Sequence, residues 1–286
     1  MTRFLVLCHA GDRTALNVGA TLRRRYGADA ARMVSSDELE LASHWSHRLD
    51  GAAATTRLRL GDGTELSSDR IGVVFNRLLW TQAQHFRSAD EDDHGYAVAE
   101  LYALWLSWLE SLPCPVMNAP SVWGLGTQRR SHAEWLVLAC QAGFAAPAYR
   151  ITTDPRRFGA RDLAPHRRVP DGAGGVRFEP VPAHLVGRRP CAYLEPVGRE
   201  RSRILVAGDT FAGPLGERFK EPLGRLRAAA GLDLFEVELV RPADAERLPD
   251  WLLSRVDPFP YFEDPERVAA CVAMLEAASE KGHTQP

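Results

Sequence analysis

Five successive apolar residues, Phe4 to Cys8, stand near the start of the chain and are closed off by Gly11 and Asp12. Five is too few for a membrane span or the core of a secretion signal, but enough for a buried strand with a turn behind it. From Ala15 to Tyr26, apolar residues at Leu16, Val18, Ala20 and Leu22 lie beside a run of arginines, the mark of a modestly amphipathic helix. A second apolar run, Ile71 to Phe75, reads as another buried strand. Between the two strands, Thr56–Leu60 and Thr64–Leu66 flank Gly61-Asp62-Gly63, the chemistry of a hairpin turn. Strand, helix, strand in this order predicts an α/β domain.

Further along, Ser88–His94 (SADEDDH) crowds four carboxylates, which could attract a hard cation but lack the spacing of a calcium loop. It is expected to be a solvated acidic loop. A helix is predicted over Tyr96–Leu112, with Trp105 and Trp108 as core residues. A further helix over Arg129–Gly143 is stopped by its glycine, and Pro147–Thr152 is extended. From Asp154 to Arg189 proline, glycine and arginine dominate and apolar periodicity fades, so a mobile region or boundary is expected there. Strands at Cys191–Val197, Arg203–Ala207 and Leu234–Val240 follow, with helices at Glu221–Ala230 and Pro265–Ala278.

Composition narrows the function. The 286 residues are 45% hydrophobic with a net charge of −2, which suits a globular chain and argues against a generally basic nucleic-acid or membrane-surface binder. No apolar stretch is long enough to span a bilayer. The five cysteines are scattered and never form a CxxC pair, which removes support for a structural zinc or a disulfide framework and leaves a reduced, cytoplasmic protein as the expectation. Lysine occurs only at 220 and 281, so chemistry that requires a lysine has two candidates. His44 and His47, three apart on an expected helix, lack a third metal ligand. Cys8-His9, close to Asp12 at a strand end, lies where α/β sheets tend to place functional groups.

Several segments, taken in order, resemble the ATP-grasp superfamily, in particular the branch that ligates amino acids or cross-links peptide side chains. The strand ending in Phe75-Asn76-Arg77 is similar to that branch's N-terminal domain. The linker resemblance rests on Asn118, Pro120, Arg129 or Arg130, Gly143, Phe144, Pro147, Thr152 and Asp154. Tyr193–Asp209 looks like the hinge strand, its acidic residue and the following arginine strand. Leu252–Phe262 (LLSRVDPFPYF) looks like the strand that carries a metal-binding Glu-x-Asn and then Pro-x-Pro.

The resemblance implies an ATP-grasp-like α/β fold, with an N-terminal α/β domain over 1–117 and a linker and shortened α+β grasp region over 118–286, and an ATP-dependent carboxylate–amine (or hydroxyl) ligase acting on a peptide or amino acid through an acylphosphate. In such chemistry the protein mainly positions groups and neutralises charge. It implies ATP and magnesium as cofactors, with Arg129, Arg130 and Arg168 on the phosphates, Glu195 and Val197 at the nucleotide hinge, Glu238 and Asp257 at the metal, and Arg203 on the reacting groups. The sequence departs from the pattern at three places. Arginines stand for both phosphate-binding lysines, with Arg168 just before the loop Asp171–Gly175. Arg255 replaces the metal-binding Glu. The connection between Gly213 and Leu226 is short, with Lys220 a candidate compensating contact. These departures imply the alternative, a catalytically degenerate ATP-grasp protein that binds a peptide or a partner ligase. The expected partners are therefore a peptide or amino acid, or a partner ligase, with a homodimer compatible and neither nucleic acid nor membrane involved.

Overall fold

The computed structural model describes residues 1–51, 53–121, 124–126, 130–152, 164–170, 176–181, 191–194, 197–242 and 250–282. They pack as two compact units, Met1–Arg129 together with Tyr261–Pro286, and Arg130–Pro260.

In the first unit β1 (Thr2–Cys8), α1 (Arg13–Tyr26), β2 (Ala31–Ser35) and α2 (Ser36–Glu40) are followed by a three-stranded antiparallel sheet of β3 (His44–Asp50), β4 (Ala53–Arg59) and β5 (Glu65–Ser67). Then come β6 (Ile71–Arg77), α3 (Glu91–Glu110) and β7 (Val116–Met117), and a parallel sheet forms in the order β2-β1-β6-β7. β1 and β6 are near-continuous apolar runs because both sheet faces are covered. Leu5, Leu7 and Val74 pack with Trp105 and Trp108 of α3 and with Leu58 and Leu66 of the antiparallel sheet. Asp12 caps α1, its Oδ1 accepting from the Ala15 amide at 3.0 Å.

Two local expectations change. Ser88–His94 is not a solvated loop throughout: Asp90 caps α3, accepting from the Asp93 amide, and Glu91, Asp92 and Asp93 form its first turn. Carboxylates there complement the exposed N–H groups and positive end of the helix. His44 and His47 lie in β3, not a helix; His47 bridges the hydroxyls of Thr56 and Ser107 at 2.7 and 2.9 Å. Trp45 and His47 share the partly covered face of β3 and His44 and Ser46 the exposed one, which is the two-residue period of a strand.

The second unit holds α4 (His132–Gln141), β8 (Tyr149–Thr152), β9 (Ala164–Pro170), β10 (Val176–Pro180), β11 (Cys191–Leu194), β12 (Val197–Ala207), β13 (Thr210–Ala212), α5 (Lys220–Ala230), β14 (Leu234–Pro242) and β15 (Leu252–Asp257). Two antiparallel sheets form, β10-β9-β11-β8 and β13-β12-β14-β15. α4 ends before Gly143, whose φ of +97° suits only glycine at no steric cost. One face of the second sheet (Ile204, Val206, Val237, Leu239, Leu253) packs with α4 and α5 through Trp135, Leu136, Leu223 and Leu226. The last helix, α6 (Pro265–Gly282), belongs to the first unit: Arg25 and Tyr26 of α1 both donate to Glu276, and Cys271, Val272 and Leu275 are buried. Sequence order alone groups it with 118–286, because nothing local records which unit a terminal helix covers. Among the described residues no helix is long and apolar enough to cross a membrane.

Candidate functional site

Strand alternation explains the charged face of the second unit. Ile204 and Val206 of β12 and Val237 and Leu239 of β14 enter the core. Arg201 and Arg203, and Glu236 and Glu238, therefore share the opposite face. The register sets Arg203 against Glu238, Glu238 against Arg255, and Glu236 against Asp257. Arg201 donates to Glu238 at 2.5 Å, and the Arg203 Nε lies 3.5 Å from Glu238 and 3.7 Å from Glu236. Arg255 donates to Asp257 at 3.2 Å, and the other Asp257 oxygen accepts from the Phe259 amide at 3.0 Å.

A register shift in β15 opposite Glu238/Leu239 leaves Ser254 as the extra residue. Bulges re-aim side chains; here the Ser254 hydroxyl donates to the Glu238 carbonyl and is also 3.1 Å from its carboxylate. Glu236 and Glu238 are nearly covered, whereas Arg201 and Arg203 are more than half exposed. The face is thus a buried acidic floor under an exposed arginine rim.

Of the residues singled out in the sequence, Arg203, Glu238, Asp257 and Arg255 meet on this face. Val197 starts β12, opposite Pro242. Arg130 lies apart: it donates to the Ala230 carbonyl at 3.2 Å and sits over the Trp135 ring, next to the end of α5. The Arg168 backbone pairs with Phe178 across β9 and β10. Arg129, Glu195, Asp154 and the loop 171–175 lie outside the described residues, as does the side chain of Arg168. Lys220 opens α5 and pairs with Glu217 at 3.7 Å. Sequence reading misses Arg201, Glu236 and Ser254. The spacings Arg201/Arg203 and Glu236/Glu238 carry the period-two signal that could have found the first two, but the bulge that brings in Ser254 leaves no local mark.

No protein-family model and no curated protein matches the sequence. Solved structures do resemble its fold. A Chryseobacterium gregarium RiPP-associated ATP-grasp ligase, in complex with ADP and a leader and core peptide, superposes with a TM-score of 0.75 at 17% identity, over 98% of this chain and 97% of that one. The macrocyclase MdnC from Microcystis aeruginosa, bound with its precursor peptide MdnA, gives 0.73 at 14% identity over 98% and 100%. The ATP-grasp ligase PsnB, complexed with minimal precursor, Mg and ADP, gives 0.72 at 18% identity over 98% and 99%. The chain has the ATP-grasp fold.

Whether the charged face of this chain of ATP-grasp fold suits magnesium is a question about its donor set. Magnesium takes near-octahedral oxygen ligands, commonly one or two carboxylates with substrate phosphates and water. Here Glu238 is held by Arg201 and Ser254 and approached by Arg203, and both oxygens of Asp257 are engaged by Arg255 and the Phe259 amide. Three guanidinium groups balance three carboxylates, and like charge at Arg255 opposes a dication. Among the described residues no three His, Cys, Asp or Glu side chains are grouped to hold a metal. The residues present do not fit magnesium.

The first unit has its own polar cluster, at the C-terminal ends of its parallel strands. Arg77 at the end of β6 is 2% exposed and donates from Nε to Asp12 at 2.8 Å. Asn76 donates to the carbonyls of Asn118 and Leu125. His9 stacks on Trp80 with ring centroids 4.0 Å apart, accepts from the Leu79 amide at Nε2 and shares a hydrogen bond with Ser36. Burial lowers the His9 pKa, which favours this neutral form. Burial also pushes the adjacent Cys8 thiol up to about 12, so it is not a reactive thiolate.

Proposed function

We propose that this chain is a catalytically degenerate ATP-grasp protein that binds a peptide in a peptide-modifying system, without magnesium-dependent turnover. The observation that carries the reading is the arginine–carboxylate network of β12, β14 and β15. Arg255 stands where the resemblance implies an acidic metal ligand, and it neutralises Asp257 while Arg201 and Arg203 neutralise Glu238. A network satisfied by its own members is a stable surface, not a vacant cation site. A peptide as partner is supported by the three neighbours, each of which was solved with a peptide or precursor.

A second reading is an active carboxylate–amine (or hydroxyl) ligase. It is favoured by the match over nearly the full length of neighbours that carry ADP, one of them with Mg. In that reading the exposed Arg203 would neutralise charge at the reacting carboxylate. Arg129, Arg130 and Arg168 would meet phosphates, Glu195 and Val197 the nucleotide, and Glu238 and Asp257 a metal freed from their arginines.

Thermal-shift and calorimetric titrations with ATP and ADP, each with and without magnesium, separate the two. A ligand at a hundred times its Kd stabilises the native state by about 2.7 kcal/mol, an easily measured gain. The degenerate reading expects no magnesium-dependent stabilisation. Magnesium-dependent ATP binding, followed by phosphate release that requires a peptide, would overturn it in favour of the ligase.

A further inference from the structure

Helix α3 carries a stripe that the fold leaves open. Asp93, Tyr96, Ala97, Glu100, Leu101 and Leu104 are spaced i, i+3, i+4, i+7, i+8 and i+11, so they share one helix face. Together with the 3-10 turn Gln84–Phe86 they line a groove of about 660 Å³. Apolar surface that would normally be covered faces solvent there: Phe86 is 49% exposed and Tyr96 69%. The far wall is held rigidly. Ala83 adopts a left-handed conformation, φ 48°, and the buried Glu40 carboxylate accepts from the amides on either side of it, Gln82 at 2.6 Å and Gln84 at 2.9 Å. Glu40 is thereby spent on the wall. Asp93 and Glu100 have no ion-pair partner among the described residues, and they face the groove.

We propose that this groove is a docking site for a cationic, apolar peptide segment. The inference rests on the peptide-binding reading above and names the surface and the chemistry of the peptide. Charge decides the occupant. A second copy laid antiparallel on α3 would set the acidic first turn against a last turn that holds no basic residue; laid parallel, it would set acid on acid. A basic segment meets neither difficulty. Asp93 and Glu100 are two helical turns apart, ~10 Å. A peptide in the polyproline II conformation turns side chains three residues apart to the same side and spaces them by ~9 Å, close to that separation. Its intervening leucine or aromatic side chains would rest on Phe86, Tyr96 and Leu101, with arginines or lysines on the two carboxylates.

The test is fluorescence polarisation on the full chain with two labelled decapeptides of leucine and phenylalanine. One carries arginine at every third residue, the other glutamate at the same places. The four substituted side chains are exposed, so folding is not at stake. Phe86→Ser/Tyr96→Ser is expected to weaken the arginine peptide by about tenfold or more. Asp93→Lys/Glu100→Lys is expected to reverse the preference toward the glutamate peptide. Equal affinity for both peptides, or a wild-type dimer that becomes monomeric in Phe86→Ser/Tyr96→Ser, would overturn the proposal. Arginine-peptide binding that neither double variant changes would overturn the groove and leave the peptide-binding reading standing. If neither peptide binds the wild-type chain, the groove and the cationic-peptide reading fall together.

Discussion

The Asp12–Arg77 pair offers a sharp test of what holds the first unit together. Both charges are removed from water: the Arg77 side chain is 2% exposed and that of Asp12 10%. Nε and Oδ2 are 2.8 Å apart, and Oδ1 caps α1 through the Ala15 amide. For unit charges about 4 Å apart at an effective dielectric near 20, the attraction is about 4 kcal/mol, set against a desolvation cost of similar size. The intact pair is therefore near neutral, but breaking a buried pair by removing one member typically costs about 3–5 kcal/mol. Arg77→Met and Asp12→Asn should each destabilise by about 3 kcal/mol or more. Asp12→Ala should lose about 1 kcal/mol beyond Asp12→Asn, because asparagine still caps α1. The double variant Asp12→Asn/Arg77→Met removes both charges of the pair at once, so its loss should fall below the sum of the single losses by about 2 kcal/mol. Two units need not unfold as one, so the assay is native-state hydrogen exchange at the β1 and β6 amides, with urea unfolding as a check. Single losses that add within about 0.5 kcal/mol would refute the reasoning, since uncoupled groups add.

Other outcomes are open to measurement. Arg255→Glu should place a second carboxylate beside Asp257 in place of its arginine and create a magnesium-dependent thermal shift absent from the wild type; no shift in the variant would show that Arg255 is not what excludes the cation. The His9 pKa is depressed by burial, although Asp12, Asp37 and Glu40 oppose the effect and Arg77 adds to it. The folded state therefore binds fewer protons than the unfolded one, and the His9 contribution to stability is complete above about 6.5 and is lost as pH falls below it. Urea midpoints measured against pH should lose that slope in His9→Gln; an unchanged slope would assign the effect elsewhere. At Gly72 an added Cβ would lie 2.7 Å from the Arg3 carbonyl oxygen across the β1–β6 pair. Gly72→Ala should then cost about 1–3 kcal/mol in urea unfolding, and a neutral result would mean that the strands separate freely there.

The division between sequence and structure can be followed residue by residue. Continuous apolar runs at Phe4–Cys8 and Ile71–Phe75 mark buried strands, because only a strand covered on both faces needs no alternation; that the two pair in parallel is seen only in the structure. The stop at Gly143 and the core placement of Trp105 and Trp108 are likewise local matters of backbone freedom and apolar area. At the candidate site, Arg203, Glu238, Arg255 and Asp257 are all legible as charged residues on expected strands. Their pairing is not. It depends on the register of β12 with β14 and of β14 with β15, and on a one-residue bulge that turns Ser254 toward Glu238. The acidic run at Asp90–Asp93 shows the same limit from the other side: four carboxylates in a row read as a loop, and only the helix that begins there makes them cap and first turn.

The sequence by itself determined the type of most elements, Trp105 and Trp108 as core residues and the charged residues of each strand, because these follow from periodicity and composition along the chain. Only the tertiary structure decided that α6 covers the first unit, that Arg255 lies against the carboxylates of β14 and β15, and that one stripe of α3 stays open to solvent. Those are contacts between residues far apart in the chain, set by register and by which faces meet, and no window of neighbouring residues contains them.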